Sequence, residues 1–252
     1  GVSIVARMSR RRWHTPSVFA VALALAGLAL FMALGSWQVR RAHEKEALFA
    51  AFDATEHGTP VTLAQARQLA SATRYPLIEV NGSFDAAHGY VLDDQVHAGK
   101  VGVMVYGVFM PSAGGPALLL NRGFLARDAR GAVPPIPPPP AGVRKVHALY
   151  APPPGVALRM GGDALPRQSH WPKTMIYLDL AEVAHDLGHA LDPRVLLQVD
   201  ADDPAVGFVR EWRPGVFPPE RHYAYAFTWF AFGAVVVALF AILHWRRPTS
   251  AT

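Results

Sequence analysis

Val18-Phe-Ala-Val-Ala-Leu-Ala-Leu-Ala-Gly-Leu-Ala-Leu-Phe-Met-Ala-Leu34 forms the centre of a run from Thr15 to Val39 that holds no charged residue. About 20 apolar residues cross a bilayer core as a helix, so this run is long enough to span a membrane. A second uncharged run covers His222 to Trp245, with Tyr223, Tyr225 and Trp229 near its start and Trp245 at its end. Amphipathic rings at those positions suit the two headgroup layers. A cleaved signal peptide is the rival reading of the first run, because Ser9-Arg-Arg-Arg-Trp13 precedes it. Signal cores are usually about 7 to 15 residues long and end in a small-x-small site. Here Gly35-Ser36 leads into Trp37-Gln38-Val39-Arg40-Arg41, so an uncleaved span is expected.

Charge supports the same reading. The net charge is +5, and it is concentrated at the ends: Arg7, Arg10, Arg11 and Arg12 precede the first run, and Arg246 and Arg247 follow the second. Between Gln38 and Arg221 acids outnumber bases by one. Basic short flanks mark the cytoplasmic side, so both termini are expected there and the middle segment across the membrane. The expected layout is a basic N-terminus over 1–16, helices over 17–39 and 222–245, a translocated domain over 40–221 and a tail over 246–252. A bacterial inner membrane with a periplasmic domain is the simplest compartment. Nucleic-acid binding would need a basic face on the folded domain, and none is visible. Charged residues make up 17% of the chain, too few for a disordered protein. With no cysteine, disulfides, thiolate metal sites, a Cys nucleophile and thioether-linked haem are all excluded.

The middle segment reads as α+β, with mainly antiparallel strands. Ala42 to Phe52 continues the first helix until Gly58-Thr-Pro60 stops it. Thr62 and Gln65 have capping-box spacing at the head of a short helix to Ala70. Strands are then expected around Ile78, Val80 and Val91, over the alternating Val101, Val103 and Val105, and at Leu118 to Leu120. Further strands are expected over Val143 to Tyr150, Thr174 to Leu178 and Arg194 to Val199, with turns at Asn81-Gly82 and Ala113-Gly-Gly-Pro116. One clear helix interrupts the series: Asp179 and Glu182 cap it, Leu180, Val183, Ala184 and Leu187 share a face, and Gly188 ends it. Such a series implies an antiparallel, α+β or partly closed barrel domain and excludes a parallel doubly wound one. Pro134-Pro-Ile-Pro-Pro-Pro-Pro140 cannot donate ladder hydrogen bonds and reads as a stiff extended loop.

Signals for enzymatic chemistry are missing: the chain has no G-x-S-x-G, P-loop, H-E-x-x-H or dinucleotide glycine fingerprint. Gly161-Gly162-Asp163 reads as a turn, and Asp93-Asp94 and Asp202-Asp203 as solvated acidic pairs. His185 and His189 are spaced i, i+4 but lack a third ligand, so they read as surface histidines. The membrane ends carry more information. His222 opens the second span, with Tyr225 and Trp229 following at helical spacing, and Trp37 and Gln38 lie at the same depth on the first. An imidazole there reads either as an interfacial residue or as a haem ligand beside flat aromatics. Arg40, Arg41 and Arg221 read either as headgroup contacts or as partners of haem propionates. Ala22 and Ala26 offer one small-x-x-x-small spacing for helix pairing.

Four stretches together resemble the surfeit locus protein family of cytochrome c oxidase assembly factors. Gly35-Ser-Trp-Gln-Val-Arg-Arg-Ala-His-Glu-Lys45 is similar to the family's G-x-W-Q-x-x-R-x-x-x-K, and Val80-Asn-Gly-Ser-Phe-Asp-Ala-Ala-His88 to its V-x-G-x-F-D-x-x-H. Asn121-Arg-Gly-Phe124 is similar to N-R-G-W, and His222-Tyr-Ala-Tyr-Ala-Phe-Thr-Trp-Phe230 to H-x-x-Y-A-x-T-W-F. The chain departs from the pattern with Arg221 in place of Asn, Ala224 in place of Gln and Phe124 in place of Trp. The resemblance implies a non-enzymatic, membrane-anchored factor that binds haem a and aids its insertion into the catalytic subunit of the oxidase. It implies His222 as the iron ligand, supported by Tyr225 and Trp229, with Trp37, Gln38 and Arg41 opposite. The implied partners are that subunit, the haem a synthesis machinery and membrane lipid. The alternative is a cofactor-free chaperone that stabilises an assembly intermediate.

Overall fold

The computed structural model describes residues 12–155, 164–200, 207–214 and 217–246. The turn at Gly161-Gly162-Asp163, the Asp202-Asp203 pair and Arg7, Arg10 and Arg11 lie outside them. In chain order the elements are β1 (Arg12–Trp13), α1 (Val18–Glu56), α2 (Leu63–Leu69), β2 (Leu77–His97), β3 (Lys100–Pro111), β4 (Ala117–Ala126), β5 (Arg144–Ala151), β6 (Lys173–Met175), α3 (Leu180–Leu187), β7 (Leu191–Gln198), α4 (Pro219–His244) and β8 (Trp245–Arg246). The chain divides into two compact units, one of residues 1–47 with 216–252 and one of residues 48–215.

The first unit is an antiparallel pair formed by α4 and the first part of α1. Both helices are long and apolar enough to cross a membrane, and only 6% and 11% of their most apolar windows are buried. Phe19, Leu23, Phe227 and Ile242 all stand exposed, a surface that suits hydrocarbon and not water. Small residues make the seam between the helices. A Cβ at Gly35 would lie 2.4 Å from the Phe230 ring, and one at Gly233 would touch Leu28. Ala42 and Ala226 are buried on the same faces. Ala22 and Ala26 are exposed, so the close approach is made by Gly35 and Gly233 instead of by the spacing expected from sequence. Pro219 starts α4, where its missing N–H and preset φ cost nothing. At the other end β1 pairs with β8, and Trp13 stacks on Trp245 at 5.9 Å.

In the second unit β3, β4, β7, β5 and β2 are hydrogen-bonded in that order, and β2 also pairs with β3, so these five strands close into a ring with β6 added outside. The length of β2 allows the closure: Leu77 to Gly82 pairs with β5, and Gly82 to His97 pairs with β3. Closure removes the exposed edges that an open sheet would present. The sheet is mixed. β2 with β3 and β5, β3 with β4, and β5 with β7 are antiparallel, but β4 with β7 and β2 with β6 are parallel, because the connections between these partners are long enough to return the chain in the same direction.

Strand alternation sorts the core into two large clusters. Leu118 and Leu120 join Ile78, Phe109, Val146 and Leu196 in one, which Ala66 of α2 completes. Ala117 and Leu119 join Tyr90, Tyr106 and Val195 in the other, which Val183 of α3 completes. Both faces of β4 are therefore buried, which explains its unbroken apolar run. The last turns of α1 belong to this unit: Phe52 packs with Leu77, Leu149 and Trp212. Both expected caps are present, with Thr62 and Gln65 in a reciprocal capping box and Asp179 accepting at the head of α3, which Gly188 ends in the left-handed conformation.

Three sequence expectations need correction. Asn81-Gly82 is not a turn; β2 runs straight through it. A Cβ at Gly82 would lie 2.3 Å from the Met110 carbonyl, so the glycine serves a close strand approach. Asp93-Asp94 forms a bulge inside β2 and not a solvated loop, with Asp94 at φ 54° and Asp93 bonded to Arg127 at 2.6 Å. The strand expected over Thr174 to Leu178 ends at Met175.

Candidate functional site

Along α1, Phe31, Gly35, Gln38 and Ala42 recur at i, i+4, i+7 and i+11 and so share one face. On α4 the matching face carries His222, Ala226, Trp229 and Gly233. Where the two faces meet, Gln38 Oε1 lies 2.8 Å from His222 Nδ1. An amide oxygen only accepts, so Nδ1 carries the hydrogen and the ring is held in the tautomer whose Nε2 has a bare lone pair. That Nε2 is shielded from solvent and has no hydrogen-bond partner among the described residues. A buried polar atom left unpaired is destabilising by about 1 to 3 kcal/mol, so this nitrogen has an unfilled acceptor position.

The remaining residues named from sequence lie around this pair in different settings. Trp229 is partly buried and stacks on Phe31, centroids 6.0 Å apart and planes 20° from parallel, so its ring is engaged in the helix seam. Trp37 and Tyr225 are exposed by 47% and 57%, on the open sides of their helices. Arg41 Nη1 bonds Glu44 Oε2 at 2.6 Å along the same helix, and the Arg221 guanidinium stands 5.5 Å from the Phe217 ring. The structure thus brings His222 and Gln38 together, with Trp229 about two turns along the helix. Trp37, Tyr225 and Arg41 are at the periphery. Sequence reasoning missed a second cross-link, Tyr223 Oη donating to Glu46 Oε1 at 2.9 Å with His43 against the same phenol ring. It also missed Phe31, although the spacing of Phe31, Gly35 and Gln38 on one helical face was a signal that could have found it.

The donor set suits an iron porphyrin in one respect. A ligating histidine ordinarily donates its second ring N–H to a carbonyl, carboxylate or water, and Gln38 supplies such an acceptor here. A metal would reach Nε2 only as neighbouring side chains yield, because the atom is covered. No group of three or more His, Asp or Glu residues that could hold a bare metal ion occurs among the described residues, and His185 and His189 are both exposed.

The sequence profile of the SURF1 family matches residues 25–234, which include part of each helix of the pair and the whole barrel. No curated protein matches the chain.

Proposed function

The chain belongs to the SURF1 family of oxidase assembly factors, and from that premise we propose that it carries haem a as cargo, bound through His222 Nε2, for insertion into the catalytic subunit of a haem-copper oxidase. The observation that carries this reading is the buried, partnerless Nε2 in a tautomer selected by Gln38. A ring nitrogen with a bare lone pair is the atom that binds iron, and the bond from Nδ1 to Gln38 makes Nε2 that atom in the neutral ring. Ligation by a single imidazole, flanked by the exposed Trp37 and Tyr225, gives a grip that a site with more ligands can outcompete, as a transfer factor requires. Arg41, whose side chain is partly exposed, would meet a propionate at the expense of its bond to Glu44. We further propose a bacterial inner membrane, cytoplasmic termini and a periplasmic barrel, on the charge bias of the flanks.

The test is purification in mild detergent from a host that makes haem a, comparing the native protein with His222→Ala and Gln38→Leu. The native protein is expected to carry a Soret band, His222→Ala to lose it, and Gln38→Leu to retain a weakened band, because the imidazole then has no fixed acceptor to orient it. A band unchanged in His222→Ala would reject the ligand assignment. Absence of a band in the native protein would favour the cofactor-free chaperone.

A further inference from the structure

Away from the helix pair, the barrel carries a cleft of about 220 Å³. Its floor is the stretch where Gly89 of β2 stands opposite Gly107 of β3, a cross-strand pair without a Cβ on either side. Its walls are Trp171 with Pro172 on one side and Pro137 to Pro139 on the other. Both walls are fixed. Arg122, itself buried, donates to the Pro137 carbonyl at 2.8 Å and to the Pro138 carbonyl at 3.3 Å, pinning the stiff proline run. Trp171 is held by Lys173 Nζ 4.5 Å from its ring centre and by the edge of Tyr90, and that lysine is paired with Asp186 at 2.6 Å.

The rim carries the polar function. Phe84 pairs with Phe109 and Gly89 with Gly107, so Asp85-Ala-Ala-His88 is extruded from the ladder as a wide bulge. Asp85 Oδ1 accepts from the Ala87 amide at 2.8 Å, and Oδ2 lies 2.6 Å from His88 Nδ1. The carboxylate thereby keeps the hydrogen on Nδ1. His88 Nε2, on a ring set edge-on to Trp171 at 4.6 Å, has no hydrogen-bond partner among the described residues. The cleft therefore combines aromatic and proline walls with one oriented acceptor. Two of the stretches that carry the family resemblance, Val80–His88 and Asn121–Phe124, meet at it.

The volume is below the roughly 300 to 1,000 Å³ of whole small-molecule sites and suits one large side chain. Exposed Pro138, Pro172, Ala86 and Ala87 surround the opening, a surface on which an extended backbone can lie. We infer that this cleft is the anchor pocket of a protein-binding surface, which accepts a tyrosine or tryptophan side chain of an extended partner segment and takes its O–H or N–H on His88 Nε2. Aromatic anchors with one polar hydrogen dominate such pockets, because they bury large area while satisfying a single acceptor. Asp85 is the positioning residue, and His88 is the group that discriminates tyrosine from phenylalanine. This assignment is independent of haem binding.

The test uses the full chain in detergent micelles with the tryptophan indoles labelled with nitrogen-15, titrated with Ac-Ala-Ala-X-Ala-Ala-amide peptides in which X is Tyr, Trp, Phe or Leu. Tyr and Trp peptides should shift the Trp171 indole resonance saturably, the Phe peptide should bind about tenfold more weakly for want of the hydrogen bond, and the Leu peptide should leave it unmoved. His88→Phe should abolish the Tyr-over-Phe preference, and His88→Gln, which keeps an acceptor, should retain part of it. At Gly89 a Cβ would make only ordinary contacts, 3.4 Å to the Tyr106 carbonyl and 3.8 Å to Pro172, so Gly89→Val should fold and block every peptide. Equal shifts with the Leu peptide, an unmoved Trp171 resonance with Tyr and Trp peptides, or a Tyr preference that survives in His88→Phe would each overturn the assignment. His222→Ala should change none of these readings, which separates this site from the haem proposal.

Discussion

The helix pair and the barrel solve opposite problems. In the helix pair many large apolar side chains point outward, and the helices meet through Gly35, Gly233, the Phe31–Trp229 stack and two polar cross-links, His222 with Gln38 and Tyr223 with Glu46. Surrounded by hydrocarbon, two apolar helices gain nothing from hiding apolar surface, so close packing and a few polar contacts must hold the pair. In the barrel, burial from water is the driving force, and the polar groups it traps need partners. Asp192, 1% exposed, illustrates this: Arg67, the Tyr150 hydroxyl and the Arg194 amide all donate to it. The same chain satisfies Asp192 three times over and leaves His222 Nε2, like Gln198 Oε1 in the barrel, without a partner among the described residues.

Breaking the Asp192 cluster should give the largest effect. Asp192→Ala leaves the Tyr150 hydroxyl and Arg67 without their acceptor, and removing one member of a buried pair costs about 3 to 5 kcal/mol. Because Arg67 is partly solvated, the lower end is expected, read as the shift in the urea midpoint of the barrel transition in detergent. The cluster also sets an alkaline limit. Burial first, and then the Asp192 carboxylate, push Tyr150 up to about 12. The folded value lies above the unfolded value of about 10, so this contribution is complete below pH 10 and is lost as pH rises from there towards 12. In Asp192→Ala the second cause is gone, so tyrosinate absorbance should develop at lower pH than in the native protein.

Next in size is a substitution in the helix seam. Gly35→Leu would place a side chain where the Phe230 ring already lies, and overpacking of this kind costs about 1 to 3 kcal/mol. Ala22→Leu, on an exposed face, should leave the pair intact. Cysteine cross-linking between Phe31 and Phe232 positions in otherwise cysteine-free protein would read the difference: efficient in the native background and in Ala22→Leu, poor in Gly35→Leu. Equal efficiency in all three would mean that the seam does not depend on Gly35.

The two regions were also unequally legible in the sequence. The spans, the Thr62 and Asp179 caps and the Gly188 stop are local patterns, determined by composition and by residues three or four apart, and they could be read directly. A partly closed barrel was one option of the strand series, but the closing pairs could not be read, because they join β2 to β5 at Leu77–Leu149 and to β3 at Val91–Val105, contacts between distant residues that leave no local periodicity. Gly82 was misread for the same reason: the carbonyl that demands a glycine belongs to Met110 on another strand. At the candidate site, both His222 and Gln38 were visible as residues at one depth. Their hydrogen bond was not, since it depends on how the two helices are rotated about their own axes, and that rotation is fixed by Gly35 against Phe230. Arg122 stood in a recognisable motif, but its hold on the proline carbonyls required the fold.

Gly123 and Thr62 sharpen the contrast between long-range and local causes. Gly123 has φ 131°, and a Cβ there would come within 2.9 Å of Phe208 Cβ and 3.0 Å of the Val209 carbonyl, so Gly123→Ala combines backbone strain with a clash and should cost about 2 kcal/mol. Thr62→Ala should cost least. It removes the hydroxyl that accepts from the Gln65 amide while leaving Gln65 Oε1 bonded to the Thr62 amide, half of the capping box. Loss of an N-cap acceptor is worth about 1 kcal/mol, and the cap is exposed. Because α2 contributes the buried Ala66 to one core cluster, fraying at this cap should be felt as faster amide exchange over Leu63 to Leu69 before any change in the strands. Equal acceleration in β2 and β5 would show that α2 is integral to the barrel's cooperative unit, and that even the smallest local signal in this domain is enforced by distant contacts.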